Sequence, residues 1–198
     1  MASKEGLNME KIQMKTETIC YPMPCSLVGV NVGGKPNYLT VAWFSMVNVK
    51  PPYLMIALGK AHYTNPGTKE NGTFSVNIPS VAMADVTDYC GIVSGKKYDK
   101  ATKFQTFYGK LKTAPMIKEC LCNVECKVVQ TVDLPADELF IGEIIAAYSD
   151  ERYLVNGLPD LRKIAPFVLS IPERKYIALG AEVGPAWEMG KKLIPKGT

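Results

Sequence analysis

Two adjacent prolines, Pro51 and Pro52, divide the first third of the chain into separate strand-like runs. Proline cannot donate a ladder hydrogen bond, so the pair ends the run over residues 37–50 before another begins over residues 53–59. An earlier run, residues 26–33, is followed by a turn of sequence Gly-Gly-Lys-Pro. Short apolar runs joined by tight turns indicate an antiparallel sheet or barrel.

The rest of the chain continues this pattern around two short helices. A helix is predicted over residues 65–71, started by Pro66 and stopped by an Asn-Gly pair. A second helix is predicted over residues 80–91, capped by Ser80 and ended by Gly91. Further strands are predicted over residues 73–79, 123–134, 138–150 and 174–180. The strands over 123–134 and 138–150 are predicted to form a hairpin. A short terminal helix is predicted over residues 185–193.

Length and charge narrow the class of protein. With 198 residues and 47% hydrophobic content, the chain can form one domain with a substantial core. The net charge of +4 is spread along the chain, which suits a small phosphorylated anion and predicts no nucleic-acid surface. Glu5 and Glu10 interrupt the region where a secretory signal needs apolar residues. No apolar run approaches the roughly 18 residues that cross a bilayer, so we expect a cytoplasmic protein without a membrane partner.

Six cysteines occur at positions 20, 25, 90, 120, 122 and 126. The last three form a C-x-C-x-x-x-C motif that has enough thiolates to hold a metal ion. However, the motif runs into a predicted strand, where alternate side chains face opposite ways, and His62 lies far away in sequence. We therefore interpret these cysteines as buried, reduced thiols and expect no metal site.

The start of the first predicted helix is a candidate anion site. Unpaired backbone N–H groups there would be joined by Thr64 and Asn65, and Lys60 lies a few residues before them. An equally compatible interpretation is that Thr64 or Asn65 simply caps the helix while Lys60 is solvated. On the preceding strand, Thr40 and Ser45 offer hydroxyl groups to a polar ligand, although threonine is common in strands.

Five motifs follow one another in a characteristic order: NYLTVAWFS (37–45), VNVKPP (47–52), KAHYTN (60–65), ENGTFSVNIP (70–79) and CGIVSGKKYDK (90–100). In order and spacing they resemble the flavin reductase-like family of FMN-binding split barrels, and especially its flavoredoxin branch. The opening strand YPMPCSLVGV, the late hairpin from residue 138 to residue 160, and the closing KYIALG also match. The resemblance covers most of residues 20–190.

This resemblance implies a fold, a cofactor and a set of site residues. The expected fold is mainly β with short helices, a Greek-key-like antiparallel split barrel in a single FMN-binding domain over residues 1–198, with an N-terminal extension (1–18) and a C-terminal tail (185–198). The expected assembly is a homodimer with FMN near the subunit interface.

The resemblance also implies a set of site residues. Residues implied for the isoalloxazine ring, largely through backbone groups, are Asn37, Leu39, Thr40, Val41, Ala42, Trp43 and Phe44, with Ser45 and Val47 toward the ribityl chain. Lys60, Tyr63, Thr64 and Asn65 match the phosphate segment, and Ser94, Gly95, Asp99 and Lys100 match a loop that approaches the cofactor.

Three candidates have strong alternative interpretations. His62 either helps to neutralise the phosphate or is a surface group. Asn77 either reaches the cofactor or satisfies buried backbone groups. Trp43 either packs beside the flavin or fills the core on the opposite face, and we favour the core.

The implied function is that of an FMN-binding oxidoreductase in which no side chain acts as an acid or a base. The first interpretation is an NAD(P)H-dependent flavin reductase, and the alternative is a flavoredoxin-type carrier that keeps FMN bound and exchanges electrons with redox proteins. The sequence lacks the late histidine found in many flavin reductases, which weakens the assignment of NAD(P)H as donor. A third interpretation is a flavin-free binding or structural β-barrel.

Overall fold

The computed structural model describes residues 10–17 and 22–195. Cys20 and parts of the predicted N-terminal extension and C-terminal tail lie outside these residues. The strands are β1 (Met23–Pro24), β2 (Ser26–Val32), β3 (Lys35–Val41), β4 (Phe44–Asn48), β5 (Tyr53–Gly59), β6 (Thr73–Ile78), β7 (Thr106–Phe107), β8 (Met116–Ile117), β9 (Cys122–Asp133), β10 (Asp137–Tyr148), β11 (Leu154–Val155), β12 (Leu158–Pro159), β13 (Phe167–Ser170) and β14 (Lys175–Ala178). The α-helices are α1 (Thr64–Asn71), α2 (Ala84–Ile92) and α3 (Leu161–Ile164), and short 3-10 helices cover Val81–Met83, Lys100–Lys103, Glu151–Tyr153 and Met189–Leu193.

Seven strands form the central sheet in the order β3-β2-β6-β9-β10-β5-β4, and every neighbouring pair is antiparallel. Strands β1, β13 and β14 form a second, smaller antiparallel sheet. The predicted hairpin is confirmed as β9 and β10, whose pairing shifts register at two places. These shifts increase the local twist and help a long hairpin to curl around a core. The predicted mainly β, antiparallel architecture is confirmed.

The run over residues 37–50 is not one strand, as we expected, but two. It breaks at Ala42 and Trp43, so that β3 forms one edge of the central sheet and β4 forms the other. The amide of Ala57 in β5 donates a 2.9 Å hydrogen bond to the carbonyl of Trp43 at this crossing. The sheet therefore curls until its two edges meet at one point, which gives a barrel-like shape without a closed ladder. Trp43 is 39% exposed, so its assignment to the core was wrong.

The helices begin and end differently from our expectation in two respects. Tyr63 precedes α1, and Thr64 and Asn65 lie within its first turn, so neither residue caps the helix. Gly72, in the left-handed conformation, ends α1 where the sequence predicted. Helix α2 begins at Ala84 after the short 3-10 turn and continues to Ile92, one residue beyond the predicted end at Gly91, and Ser80 makes no capping side-chain hydrogen bond.

The core lies inside the curled sheet. It is formed by Val28, Val30, Leu39, Val41, Leu54, Ile56, Leu58, Phe74, Val76, Cys126 and Phe140. A second cluster, under α2, contains Leu27, Tyr38, Cys90, Ile117 and Cys120. In the described part of the chain, no helix combines the length and apolar character needed to cross a membrane.

The cysteines in the described part of the chain are free thiols, of which only Cys122 is partly exposed. Burial raises the pKa of Cys25 and Cys126 to about 12 and that of Cys90 to about 11. Because the thiolate is the reactive and metal-binding form, these groups are poor nucleophiles and poor metal ligands at neutral pH. Residues 10–17 and 22–195 contain no group of three or more histidine, cysteine, aspartate or glutamate side chains placed to hold a metal ion.

Candidate functional site

Two adjoining cavities lie where β3, the start of α1 and the segment after α2 meet. The inner cavity, of about 190 Å³, is lined by Leu39, residues 61–64, residues 91–95 and Lys100. The lysine cavity, of about 330 Å³, is lined by Val32, residues 35–37, Tyr63 and residues 95–101. Tyr63, Gly95 and Lys100 line both cavities, so the two cavities lie side by side.

Asn37 and Thr64 connect β3 to the first turn of α1. The side-chain amide of Asn37 donates a 3.0 Å hydrogen bond to Oγ1 of Thr64, and both side chains are buried. A hydroxyl that accepts this bond still has its own proton to donate. Among the described residues that proton has no hydrogen-bond acceptor, and Thr64 lines the inner cavity. Thr64 can therefore donate to an acceptor placed in that cavity.

Gly95 holds the segment after α2 against this pair. A methyl group at Gly95 would overlap Oδ1 of Asn37 and would lie 2.7 Å from Cδ1 of Tyr63. Only a residue without Cβ can approach these two side chains so closely. The segment therefore forms a fitted wall between the two cavities.

Lys100 anchors the same segment from the other side. Its ammonium group donates hydrogen bonds to the carbonyls of Cys90, at 3.0 Å, and Val93, at 3.3 Å, and the residue is buried. A cation at this position satisfies carbonyls at the carboxyl end of α2 and interacts favourably with the helix dipole. Burial lowers the pKa of Lys100.

His62 lines the inner cavity on the side of Gly59 and Asp137. Desolvation lowers the pKa of His62, and the attraction of Asp137 only partly offsets it. The imidazole is therefore mostly neutral near pH 7, where it can accept or donate a hydrogen bond but adds little positive charge.

Two residues of the expected phosphate segment face elsewhere. The ammonium group of Lys60 lies 2.7 Å from the carboxylate of Asp133 and lines neither cavity. The amide of Asn65 donates a 2.9 Å hydrogen bond to Glu138, while its own buried Oδ1 has no hydrogen-bond partner among the described residues. Asn65 thus belongs to the contact between α1 and β10.

The expected ring segment is only partly at the cavities. Leu39 lines the inner cavity, whereas Thr40 donates its hydroxyl hydrogen bond to the carbonyl of Thr87 in α2. Val41 is in the core, Ala42 and Trp43 form the crossing between β3 and β4, and Phe44 lines a separate apolar cavity of about 400 Å³. The hydroxyl of Ser45 bonds to the neighbouring carbonyl of Met46, and Val47 is exposed at the β4 edge.

Asn77 lies outside both cavities and is fully buried in β6. Its amide donates to the carbonyl of Leu27 and to Ser75, and its oxygen accepts from the amide of Ile117 and from Asn123. All of its hydrogen-bonding capacity is used within the protein, and three of the four bonds join β6 to β2, β8 and β9.

The structure thus brings together nine of the expected residues at the two cavities: Asn37, Leu39, His62, Tyr63, Thr64, Ser94, Gly95, Asp99 and Lys100. It also adds residues that sequence reasoning missed, namely Lys35, Lys96, Lys97 and Tyr98. The only signal in the sequence was the Lys96-Lys97 pair, and nothing there indicated that Lys35 faces the same cavity.

Comparison with known proteins identifies the family. The sequence model of one protein family, described as the flavin reductase like domain, matches residues 18–160. The structure of a flavoredoxin from Methanosarcina acetivorans is 50% identical, with a TM-score of 0.92, and covers 94% of this chain and 100% of its own. The flavoredoxin of Desulfovibrio vulgaris (Miyazaki F) is 33% identical, with a TM-score of 0.86 over 92% of this chain and 100% of its own. An uncharacterized protein from Archaeoglobus fulgidus is 33% identical over 143 residues, which are 71% of this chain and 80% of that protein.

The chain therefore belongs to the flavin reductase-like domain family of flavoprotein oxidoreductases, and it has the split-barrel fold of that family. The resemblance that the sequence motifs indicated is confirmed.

Proposed function

We propose that this member of the flavin reductase-like family binds FMN with the phosphate in the inner cavity and the isoalloxazine ring along the outer edge of β3. The observation that carries the proposal is the buried Thr64 hydroxyl at the first turn of α1. It accepts a hydrogen bond from Asn37, while its own hydrogen has no acceptor among the described residues and can be donated to a ligand. Bound FMN supplies hydride and single-electron chemistry. The protein's part is to bind and orient the cofactor.

The phosphate end fits the inner cavity by charge and by hydrogen-bond donors. The amino end of α1 carries a partial positive charge that favours an anion. Thr64 adds a hydroxyl donor, and Lys100 places a cation in the wall of the cavity. Lys60 would reach the phosphate only by leaving Asp133, so we assign it a smaller contribution than Thr64.

The ring end fits the free edge of β3. This strand pairs only with β2, so the backbone groups along its other side have no ladder partner among the described residues. Free N–H and C=O groups at a strand edge can bond the polar atoms of the flavin pyrimidine. Ala42 and Trp43, at the crossing, extend this edge beyond β3, and the partly exposed ring of Trp43 can flank the flavin.

The proposed function has two forms that share this site. In the first, the protein is an NAD(P)H-dependent flavin reductase, which follows the activity that gives the family its name. In the second, it is an electron carrier with tightly bound FMN, which is favoured by the 50% and 33% identity to two flavoredoxins. Anaerobic mixing of the FMN-loaded protein with NADH or NADPH separates them. Rapid loss of the oxidised flavin absorbance supports the reductase, and bleaching only after a low-potential redox protein is added supports the carrier.

We also propose a homodimer in which β4 lies at the interface. Along β4 and the turn after it, Met46, Val47 and Val49 are exposed apolar side chains, and Val49 is 89% exposed. In the C-terminal segment Val183 and Trp187 are also exposed, Trp187 at 93%. Apolar groups on an edge strand call for a partner that covers them. Sedimentation equilibrium of the full chain tests this, since a monomer at micromolar concentration would contradict it.

Substitution of Thr64 tests the phosphate assignment. Thr64→Val removes the hydroxyl that would donate to the phosphate, a hydrogen bond to a charged group worth roughly 1.5–3 kcal/mol, so we expect FMN affinity to fall by about 10-fold to 150-fold. The substitution also removes the acceptor for the side-chain amide of Asn37. Thr64→Ser keeps the hydroxyl and should bind FMN nearly as the parent protein does. Fluorescence titration of the apoprotein with FMN measures both. Equal FMN affinity in the parent protein and Thr64→Val would refute the assignment.

A further inference from the structure

A separate cavity lies where β7, the start of β9 and the end of β10 meet the 3-10 helix Glu151–Tyr153. This Asn123 cavity, of about 390 Å³, has a lining that includes Phe107, Lys118, Asn123, Tyr148, Arg152 and Tyr153. Among the described residues, none that lines it also lines the inner cavity or the lysine cavity. Its volume is within the range of about 300–1,000 Å³ that is typical of small-molecule sites.

Asn123 has a fixed side-chain orientation and is only 3% exposed. Its amide group donates both of its hydrogens, to Oδ1 of Asn77 and to the carbonyl of Ile117, each at 2.8 Å. If the amide nitrogen and oxygen were exchanged, the Asn123 oxygen would face these two acceptors, which excludes the exchanged form. Oδ1 of Asn123 itself accepts no hydrogen bond from any residue that the structure describes.

The unpaired Asn123 oxygen is open to the cavity. In the described part of the chain, the fully enclosed side-chain atoms without a hydrogen-bond partner belong to Asn65 and Thr87. The Asn123 oxygen is therefore not enclosed, and the residue lines the cavity. A carbonyl oxygen at such a position favours a ligand that brings an N–H or O–H donor.

Positive charge lies in the same lining. Lys118, Arg152 and Asp150 all contribute to it, and two cations with one carboxylate give a formal charge of +1. The carboxylate of Asp150 is already paired, because it accepts hydrogen bonds from Nε of Arg152 at 2.8 Å and from Nη2 at 2.7 Å. Three hydrogens of the Arg152 guanidinium remain for another acceptor. Lys118 is exposed, and no described carboxylate lies within 4.0 Å of its ammonium group, in contrast to Arg152.

Three aromatic rings complete the lining. The rings of Phe107 and Tyr148 meet edge to face with their centroids 5.9 Å apart, and the guanidinium of Arg152 lies 5.7 Å from the ring centroid of Tyr153. The hydroxyl of Tyr148 donates a 2.6 Å hydrogen bond to the buried Glu125, which fixes its ring. Rings held in this way can pack against a flat aromatic ligand.

We propose that the Asn123 cavity binds an aromatic acid with two fused rings. Its carboxylate is bound by Lys118 and Arg152, and its ring N–H or O–H group donates to Oδ1 of Asn123. An inorganic anion would leave the rings and Asn123 unused, and an apolar hydrocarbon would leave the cations and Asn123 unused. A cavity of about 150 Å³ is enough for benzene, so about 390 Å³ has room for two rings and a carboxylate. The proposal goes beyond the proposed function and does not depend on FMN binding.

The first test varies the ligand, because a substitution at Asn123 would also break its bonds to Asn77 and Ile117. Indole-3-carboxylate has two rings, a carboxylate and an N–H donor, and 1-naphthoate has a similar size and the same charge but no donor. NMR titration of the full chain gives both affinities. We expect indole-3-carboxylate to bind with a dissociation constant of about 1 mM or lower. The affinity for 1-naphthoate should be about fivefold or more weaker, because it leaves the Asn123 oxygen unpaired.

The second test varies the protein. Lys118→Gln/Arg152→Gln removes both cations of the cavity, and the control Lys127→Gln/Arg162→Gln removes an exposed lysine and an exposed arginine that do not line it. We expect the cavity variant alone to lose about fivefold or more in affinity for indole-3-carboxylate. Its affinity for the neutral indole-3-carboxamide should stay within about twofold of the parent protein, which shows that the cavity is still folded.

Several results would overturn the proposal. These are equal affinities for indole-3-carboxylate and 1-naphthoate, equal losses in the two variants, and no binding of indole-3-carboxylate in the millimolar range. The affinity should also be the same in apoprotein and in FMN-loaded protein, and displacement of the probe by FMN would likewise overturn the proposal, since it would place the probe in the flavin site. A protein that binds no FMN would contradict the proposed function, while the affinities for the probes would still decide the role of the Asn123 cavity.

Discussion

Gly95→Ala tests how the two cavities are built, because one added methyl group should push the segment after α2 away from β3. In Gly95→Ala the added Cβ would overlap Oδ1 of Asn37 and lie 2.7 Å from the ring of Tyr63. Neither neighbour can move easily. Asn37 is buried and bonded to Thr64, and Tyr63 directly precedes α1. We expect the strain to be relieved by movement of the 94–101 segment away from β3.

The magnitude follows from the cost of overpacking. Inserting a methyl group into a fitted contact typically costs about 1–3 kcal/mol. FMN binding would have to bring the 94–101 segment back against β3, so this cost should appear in the binding free energy. FMN affinity should then fall by roughly 5-fold to 150-fold. Fluorescence titration of the apoprotein measures this loss, and circular dichroism confirms that the barrel is still folded.

Gly91→Ala is the matched control. Gly91 lines the same inner cavity and lies in α2, but the atoms nearest to a Cβ there belong to the side chain of Thr40, at an ordinary contact distance of 3.4 Å or more. Replacing glycine by alanine in a helix usually stabilises it, by up to about 1 kcal/mol. We expect this variant to bind FMN like the parent protein. The reasoning is refuted if Gly95→Ala binds FMN within twofold of the parent, or if both variants lose affinity equally.

Two further predictions concern stability. Glu125 is fully buried and accepts hydrogen bonds from the amides of Lys110, at 2.8 Å, and Leu111, at 2.7 Å, and from the hydroxyl of Tyr148, at 2.6 Å. Glu125→Gln turns one hydrogen-bond acceptor into a donor. Urea unfolding should show that the free energy of unfolding falls by about 2–4 kcal/mol in this variant and by about 1 kcal/mol in Tyr148→Phe. A Glu125→Gln variant as stable as the parent protein would contradict this account. Hydrogen bonding to Lys69 lowers the pKa of Glu138. The pair therefore stabilises the folded state fully at pH values above 4.5, the usual pKa of this carboxyl group. This stabilisation is lost as the pH falls through the lowered pKa. Lys69→Met should therefore flatten the acid side of the stability profile, measured by thermal unfolding between pH 2 and pH 7, and an unchanged profile would argue against the linkage.

The sequence alone determined the mainly β class, most element positions and the family. Strand β5 begins directly after Pro51 and Pro52, and Gly72 ends α1, because these residues restrict the backbone locally. The family followed from the order of several short motifs, which no single local pattern provides. Asn37, Thr64 and Lys100 could be selected for the same reason.

Only the tertiary structure decided which of these residues meet, and how. Residues 37–50 look like one strand, yet they cross from one edge of the sheet to the other at Trp43, because this crossing lets the sheet curl. Lys60 and Asn65 are polar residues at a helix start, but Asp133 and Glu138, about seventy positions later, bond to them instead. Lys35 lines the same cavity as Lys96 and Lys97 for a similar reason. Contacts between distant segments depend on how the sheet folds, and local sequence preferences do not contain that information.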